Sequence, residues 1–254
     1  MGYPKDLLST RAIIKHGKFA IIPPQGLVNN VVPGFEDCRI SIVASPQIGA
    51  SFVQYIIDIM PGGGTTQKFA AEEGIESFVY CVHGEGKVLV DNEQKLFKDG
   101  SYAYAPAGIG LEIRNDSNEN MKVLLYKQCY EAIEGHKARV VFGNVHEIEE
   151  RIYDDMENVF IKDLLPTDLG FDMNMHILTF EPGACHPFIE THVQEHGAYL
   201  LSGEGVYLLD DEWVTVKKED YIWFGPYVPQ GTYCVGRENL SYIYSKDCNR
   251  DVRL

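Results

Sequence analysis

Short apolar and alternating segments follow one another along most of the chain, separated by turns rich in Gly, Pro and Asp. The clearest examples are SFVQYIIDIMPGGG (51–64), ESFVYCVHGEGKVLV (76–90) and GAYLLSGEGVYLLDD (197–211). Apolar runs of this length between turn residues are typical of β-strands. Only VHEIEERIYDDM (145–156) has a helical pattern, with Asn144 as a candidate N-cap. The pattern therefore predicts two β-rich regions joined by a helix.

An internal repeat relates the two β-rich regions. The segment that begins at Tyr80 returns at Tyr199, 119 positions later, and both copies contain the turn Gly-Glu-Gly, at 84–86 and 203–205. In each copy a strand, an acidic turn, an aromatic strand and a proline follow in the same order. Such a repeat predicts an all-β protein made of two tandem antiparallel barrels or jelly rolls.

Composition narrows the classes of partner. A chain of 254 residues is long enough for two small barrels. Its net charge of −15 opposes binding to nucleic acid, which requires a basic surface. No apolar stretch reaches 18 residues, so we expect no membrane span. The six cysteines form no CxxC pair, which is typical of reduced thiols and predicts a cytoplasmic protein.

Ligand-type side chains cluster in the second half of the chain. Glu190, His192 and His196 fall within seven positions, and Gln230 follows four residues after Pro226. Glu190 and His192 are two apart, so on a strand they face the same side. A carboxylate, two imidazoles and a carboxamide suit Mn²⁺, Fe²⁺ or Zn²⁺. The sequence therefore predicts one divalent-metal site, with positions left open for substrate or water.

The first half serves as an internal control for this prediction. Aligning the repeats places residues without imidazole or amide groups opposite the four candidate ligands: Ala71, Glu73, Ser77 and Gly110. We therefore expect the first barrel to hold no metal and to be structural or interfacial.

A second interpretation of the same histidines is weaker. His192-Val-Gln-Glu195-His196 matches the H-x-x-E-H string of inverted zinc proteases, in which a helix presents both histidines. Pro187 precedes the string and Gly197 follows it at once, so no room remains for that helix. We expect the match to be coincidental.

The last strand adds further polar side chains. Tyr242, Tyr244 and Lys246 share one face by period-two alternation, whereas the first half is expected to carry Leu124 and Gln128 at the positions of Tyr242 and Lys246. A lysine inside a barrel is costly unless it serves an anionic ligand or a proton transfer. An outward-facing lysine is the alternative.

Two further side chains, an aromatic and a histidine, accompany the candidate ligands. Tyr207 follows the second Gly-Glu-Gly turn where the first half has Val88, so it is either a site residue or a core aromatic. His186 is grouped with the structural histidines, although it lies close to the candidate ligands.

The turn, acidic residue, aromatic strand and proline resemble the two motifs of the cupin superfamily. Longer segments resemble the (S)-ureidoglycine aminohydrolase family of bicupins: RAIIKHGKFA, GLVNNVVPGFE, GFDMNMHILTFEPGA, IETHVQEHGAYLLSGEGVY and SYIYSKDCNRD. This resemblance implies one Mn²⁺ per chain on residues matching Glu190, His192, His196 and Gln230. The residues expected at the substrate are Glu190, Gln230, Tyr207, Tyr242 and Lys246, with Tyr242 and Lys246 as catalytic candidates.

The family resemblance implies hydrolysis of (S)-ureidoglycine, a ureido amino acid, to (S)-ureidoglycolate and ammonia in purine degradation. Lys246 then either anchors the substrate carboxylate or transfers the leaving proton, and both direct water attack and an imine route stay open. The alternatives are another metal-dependent cupin enzyme, such as a dioxygenase or isomerase, and a non-catalytic small-molecule-binding cupin.

By analogy with other bicupins, we expect a homo-oligomer. The same expectations divide the chain into four parts. The parts are an N-terminal extension packed on the first barrel (1–55), a first cupin barrel without a metal set (56–135), a connecting helical segment (136–170) and a second cupin barrel with the metal and active site (171–254).

Overall fold

Twenty β-strands form nearly all of the regular structure in residues 10–252, the part of the chain that the computed structural model describes. The strands up to the end of the first half are β1 (Ile13–Lys15), β2 (Phe19–Ile22), β3 (Phe35–Ala44), β4 (Val53–Thr65), β5 (Ile75–His83), β6 (Glu85–Val90), β7 (Glu93–Lys98), β8 (Ser101–Ala105), β9 (Leu111–Arg114), β10 (Met121–Cys129) and β11 (Val141–Asn144). The second half contains β12 (Arg151–Tyr153), β13 (Met156–Asp163), β14 (Met173–Phe180), β15 (His196–Ser202), β16 (Glu204–Leu209), β17 (Glu212–Lys217), β18 (Tyr221–Phe224), β19 (Gln230–Cys234) and β20 (Leu240–Asp247). The predicted all-β class is confirmed.

The predicted connecting helix at 145–156 is wrong. Within residues 10–252, helical structure is limited to two 3-10 turns, Pro24–Gly26 and Val145–Glu147. Asn144 does cap the second turn, since its side chain accepts a hydrogen bond from the His146 N–H. The chain then enters the β12–β13 hairpin. None of the helices is long and apolar enough to cross a membrane in the part of the chain that the structure describes.

The two halves repeat the same strand order. In the first half, the order β11-β8-β5-β10-β4-β9-β6-β7 forms one sheet, and β3 pairs with β4. In the second half, β1-β2-β18-β15-β20-β14-β13-β12 forms one sheet and β17-β16-β19 another. The first Gly of each Gly-Glu-Gly turn has a positive φ, 93° at Gly84 and 74° at Gly203. A Cβ would lie 2.7 Å from the Asn120 oxygen and 2.5 Å from the Asn239 oxygen, so both turns require glycine.

The segment expected to pack on the first barrel, 1–55, is divided between the halves where it is described. Strand β3 pairs with β4 of the first half. Strands β1 and β2 instead join the second half, because β2 pairs with β18. The strand that corresponds to β2 in the first half is β11, which comes from the connecting segment and pairs with β8. Each half thus completes a sheet edge with a strand that precedes the other half.

Three apolar clusters fill the fold. One lies inside the first barrel and includes Val88, Val123 and Leu125. Another lies inside the second barrel and includes Phe19 of β2. The third joins both halves, with large aromatic side chains from each. The interior of the first barrel is therefore filled by apolar side chains, whereas the interior of the second also carries polar ones.

Candidate active site

A cavity opens inside the second barrel, and its lining combines polar and aromatic side chains. Every site residue predicted from the sequence lies on it. The lining consists of Tyr153, Leu178, His186, Glu190, His192, His196, Ala198, Tyr207, Phe224, Gln230, Tyr242, Tyr244 and Lys246.

Glu190 and Gln230 are held together by backbone and side chain. Their backbones form an isolated antiparallel bridge, with the Glu190 N–H donating to the Gln230 oxygen at 2.8 Å and the reverse bond at 2.9 Å. The Gln230 amide also donates to the Glu190 Oε2 at 2.5 Å. Gln230 Oε1 accepts from the Tyr207 hydroxyl at 3.1 Å. The bridge therefore places a carboxylate and a carboxamide side by side at the cavity wall.

His192 and His196 present the same ring nitrogen. His192 Nδ1 lies 3.0 Å from the Gln194 carbonyl oxygen, and His196 Nδ1 lies 2.7 Å from the Ser245 carbonyl oxygen. Because a carbonyl can only accept, each Nδ1 carries the proton. Burial lowers the pKa of His192, and burial with the neighbouring His192 lowers that of His196 further. In these neutral rings Nε2 keeps its lone pair, which is the form that binds a metal.

The types of ligand in the cavity suit a divalent metal, although the side chains do not lie close enough together to bind one as they are placed. Two imidazoles with a free Nε2, a carboxylate and a carboxamide are the ligands that Mn²⁺, Fe²⁺ or Zn²⁺ accept. Among residues 10–252, no three His, Cys, Asp or Glu side chains stand close enough together to hold an ion as they are placed. The Glu190 carboxylate is engaged by the Gln230 amide. Binding would therefore require Glu190, His192 and His196 to move closer together.

Tyrosine rings form the floor of the cavity. Tyr207, Tyr242 and Tyr244 are buried, with ring centroids 6.3 Å apart for Tyr207–Tyr242 and 5.6 Å for Tyr242–Tyr244. The Tyr244 ring also meets His196 edge-on at 5.0 Å. Burial raises the pKa of Tyr242 and Tyr244 well above the usual value, so both remain neutral phenols. The floor is uncharged and can offer only hydroxyl groups.

Lys246 is the cationic group of the cavity lining. It shares the lining with Tyr242 and Tyr244, as period-two alternation requires. Within the described part of the chain, no carboxylate oxygen lies within ion-pair distance of its ammonium. An ammonium in the cavity wall without a carboxylate partner favours a ligand that is itself anionic.

The strand register changes the expected correspondence between residues of β10 in the first half and β20 in the second. Leu124 pairs with Tyr80, and Ile243 pairs with the equivalent Tyr199. Leu124 therefore matches Ile243, and the expected match between Leu124 and Tyr242 is wrong. The same offset matches Val123 with Tyr242 and Lys127 with Lys246. The lysine occurs in both halves, and the tyrosine distinguishes the second.

Lys127 has a different environment from Lys246. Its ammonium lies 5.3 Å from the centre of the Phe69 ring. Ser77, the counterpart of His196, is buried among apolar side chains and its hydroxyl has no partner within residues 10–252. The first half therefore offers no equivalent site where it is described.

Sequence analysis did not single out five of the lining side chains: Tyr153, Leu178, His186, Ala198 and Phe224. Tyr153 falls within the predicted helix, and Phe224 carries no polar group that would single it out. His186 is grouped with the structural histidines, yet it is only 5% exposed and its Nε2 lies 4.0 Å from the Glu190 Oε2. The spacing of four between His186 and Glu190 was the available signal.

Comparisons with known proteins agree with the fold. The cupin domain family model matches residues 55–126 and 176–245. The chain is 50% identical to the (S)-ureidoglycine aminohydrolase of Escherichia coli (strain K12), over 100% of this chain and 97% of that protein. It is 29% identical to the (S)-ureidoglycine aminohydrolase of Arabidopsis thaliana, over 95% of this chain and 79% of that protein. The crystal structure of protein Ylba from E. coli superposes with a TM-score of 0.89 at 48% identity, covering 100% of both chains.

The chain belongs to the cupin family and, within it, to the family of (S)-ureidoglycine aminohydrolases. It is a bicupin hydrolase that acts on a non-peptide C–N bond of a small molecule.

Proposed function

We propose that the chain hydrolyses (S)-ureidoglycine to (S)-ureidoglycolate and ammonia, at a Mn²⁺ site in its second barrel. The observation that carries this proposal is the 50% identity to the E. coli (S)-ureidoglycine aminohydrolase along the full chain. The side chains that line the cavity support it, since they offer metal ligands, neutral hydroxyl groups and the Lys246 cation around a single space.

The metal would be held by His192 and His196 through Nε2, together with the oxygens of Glu190 and Gln230. When bound, it supplies Lewis-acid activation of the substrate or of water. The Nδ1–H groups donate to backbone carbonyls, which fixes each imidazole with its lone pair toward the cavity. Tyr207 donates to Gln230 and holds that amide in place.

The remaining side chains would orient the substrate. Its α-carbon bears a carboxylate, an amine and a ureido group, and the reaction breaks the C–N bond to the amine and forms a C–O bond from water. Lys246, in the cavity wall, would bind the carboxylate, while Tyr242 would offer a neutral hydroxyl to the polar groups. Contacts at several points on one carbon would also select the S enantiomer. Lys246 can alternatively pass the proton that converts the amine into ammonia.

The test is metal content measured beside ammonia release. Protein purified without chelator should contain about one metal per chain and release ammonia from freshly generated (S)-ureidoglycine, with activity lost on chelation and restored by Mn²⁺. His192→Ala and His196→Ala should lose the metal. Glu73→Ala and Ser77→Ala, at the corresponding positions of the first half, should keep metal and turnover. Two metals per chain, or undiminished metal in both histidine variants, would contradict the proposed site.

The proposal includes a homo-oligomer in the cytoplasm that needs no nucleic acid or membrane. The supporting observations are several exposed large apolar side chains, such as Val31 and Tyr227, and six cysteines that are all free thiols. A sedimentation mass near 28.6 kDa at micromolar concentration would rule out the oligomer.

A further inference from the structure

Three histidines line the cavity, and their rings form hydrogen bonds with different kinds of backbone group. His192 and His196 each place Nδ1 against a carbonyl oxygen, so Nδ1 is protonated and Nε2 is free. His186 places Nδ1 3.0 Å from the backbone N–H of Thr232. An amide N–H can only donate, so Nδ1 of His186 must be the acceptor and its ring proton must be on Nε2. This hydrogen bond gives His186 the tautomer opposite to that of His192 and His196.

The His186 ring is fixed in this orientation. The His186 N–H donates to the Thr232 carbonyl at 3.1 Å, so both backbone groups of Thr232 bind the same residue. The ring packs edge-on against Phe180, with centroids 5.0 Å apart. Rotating the ring by half a turn would remove the acceptor from a buried N–H group, which costs about 1–3 kcal/mol. The Nε2–H therefore has one direction.

The Glu190 carboxylate lies near this nitrogen. The segment 186–190 runs antiparallel to β19, with His186 beside Thr232 and Glu190 beside Gln230. His186 Nε2 lies 4.0 Å from the Glu190 Oε2, about 1 Å beyond a hydrogen bond. The same Oε2 already accepts from the Gln230 amide. A small displacement of the carboxylate brings a second donor onto this oxygen.

We propose that His186 is a positioning residue whose fixed Nε2–H donates to the Glu190 carboxylate and orients it as a metal ligand. The proposal rests on the metal site of the proposed function, and it assigns His186 to hydrogen-bond donation rather than to metal ligation. Groups that orient a ligand in this way typically contribute about 10- to 100-fold in metal affinity or activity.

A pair of substitutions separates this role from a purely structural one. In His186→Asn the amide oxygen can reach the place of Nδ1 and accept from Thr232, but nothing replaces Nε2–H. In His186→Gln the amide nitrogen can reach the place of Nε2, but the Thr232 N–H loses its acceptor. The Asn variant keeps the structural contact, and the Gln variant keeps the proposed donor.

Manganese affinity measured by EPR titration of chelator-stripped protein decides between the roles. We expect His186→Asn to bind Mn²⁺ at least about tenfold more weakly, and His186→Gln to stay within about threefold of the parent. The Gln variant should instead have the lower melting temperature. The reverse order of affinities, or unchanged affinity in a folded Asn variant, would overturn the proposal.

Imidazole NMR gives a second readout that needs no activity. Long-range ¹H–¹⁵N spectra of ¹⁵N-histidine-labelled, metal-free protein should show His186 protonated at Nε2, and His192 and His196 protonated at Nδ1, with assignments from single variants. A His186 signal protonated at Nδ1 would also overturn the proposal. If these spectra and the manganese affinities hold while ammonia release fails, then only the proposed substrate falls.

Discussion

Glu76 and Glu195 occupy equivalent positions of the two halves, 119 residues apart, and both carboxylates are buried. Glu195 accepts from the Ser51 N–H and from the Trp223 indole, each at 2.9 Å. This Glu195 belongs to the string that resembles a zinc-protease motif. Its carboxylate binds groups from both halves, and β15 begins at His196, so the helix that a protease requires is absent from this described segment. The buried carboxylate therefore holds the halves together.

Glu76 makes stability depend on pH. It accepts from the Tyr104 hydroxyl and from the Gln128 amide, while burial, together with the charge of Asp172, raises the pKa of Glu76 well above its usual value. Between the unfolded pKa near 4.5 and its raised pKa in the folded protein, Glu76 holds a proton in the folded state that the unfolded chain releases. Folding therefore takes up a proton, and this contribution to stability falls as pH rises above the unfolded pKa near 4.5.

Replacing Glu76 by Gln should remove this dependence, because Gln matches the shape of a protonated Glu. From about pH 5.5 to about pH 7.5, the parent should lose up to about 1.4 kcal/mol of unfolding free energy per pH unit through this proton, and Glu76→Gln should not. Urea unfolding at both pH values measures the difference. Glu73→Gln, at an exposed position, is the control and should follow the parent. If Glu76→Gln kept the parent's slope, Glu76 would not carry the proton.

Lys246 can be tested against its own counterpart in the first half. Lys246→Met should leave metal content unchanged and lower kcat/KM by about tenfold to a thousandfold, the scale of one lost charged contact or acid–base group. An effect confined to KM indicates anchoring of the carboxylate, and one confined to kcat indicates proton transfer. Lys127→Met should leave kinetics near those of the parent because Lys127 lies over Phe69, outside the cavity. Full kcat/KM in Lys246→Met would exclude Lys246 from the reaction.

At the scale of elements, the positions of many strands and turns could be predicted from the sequence. Which strand pairs with which mostly could not. Alternation and the repeat predicted the strands around both Gly-Glu-Gly turns, and also the side of β20 that faces the cavity. The β12–β13 hairpin was missed because its residues also fit a helical period. Asp154 and Asp155 both have positive φ, 46° and 58°, which a helix cannot contain. Non-local pairings, such as β2 with β18, leave no local signal.

The hairpin brings Tyr153 to the cavity, so its turn chemistry should affect the site. Positive φ at both central residues defines a turn that favours Asn-Gly or Asp-Gly. Asp154→Ala with Asp155→Ala should destabilise the hairpin by about 1–2 kcal/mol per residue and raise KM, whereas Asp154→Asn with Asp155→Gly should keep both near the parent. Melting temperature and ammonia-release kinetics measure the two effects. Equal KM in both double variants would separate the hairpin from substrate binding.

At the scale of the whole molecule, the two barrels are interlocked. Strand β2 completes the sheet of the second half and β11 that of the first. Arg11 adds a bidentate ion pair to the fully buried Asp220, with both N–O distances 2.6 Å. The apolar cluster between the halves draws large side chains from each. Unfolding either half exposes this shared apolar cluster, so the molecule should behave as one cooperative unit.

A substitution at Phe19 tests this cooperativity, because Phe19 is far in sequence from the second barrel, in which its side chain packs. It is fully buried on β2 opposite Phe224, whose ring meets His196 edge-on at 5.0 Å. Phe19→Ala should lower the free energy of unfolding by about 3–5 kcal/mol, the usual cost of emptying a buried aromatic site. Far-UV circular dichroism reports strands of both halves, and tryptophan fluorescence reports chiefly the buried Trp223. The two urea transitions should shift together in this variant, while exposed Glu73→Ala should leave both in place. If circular dichroism instead showed one half unfolding while the other kept its parental midpoint, the exchanged strands would not couple the barrels.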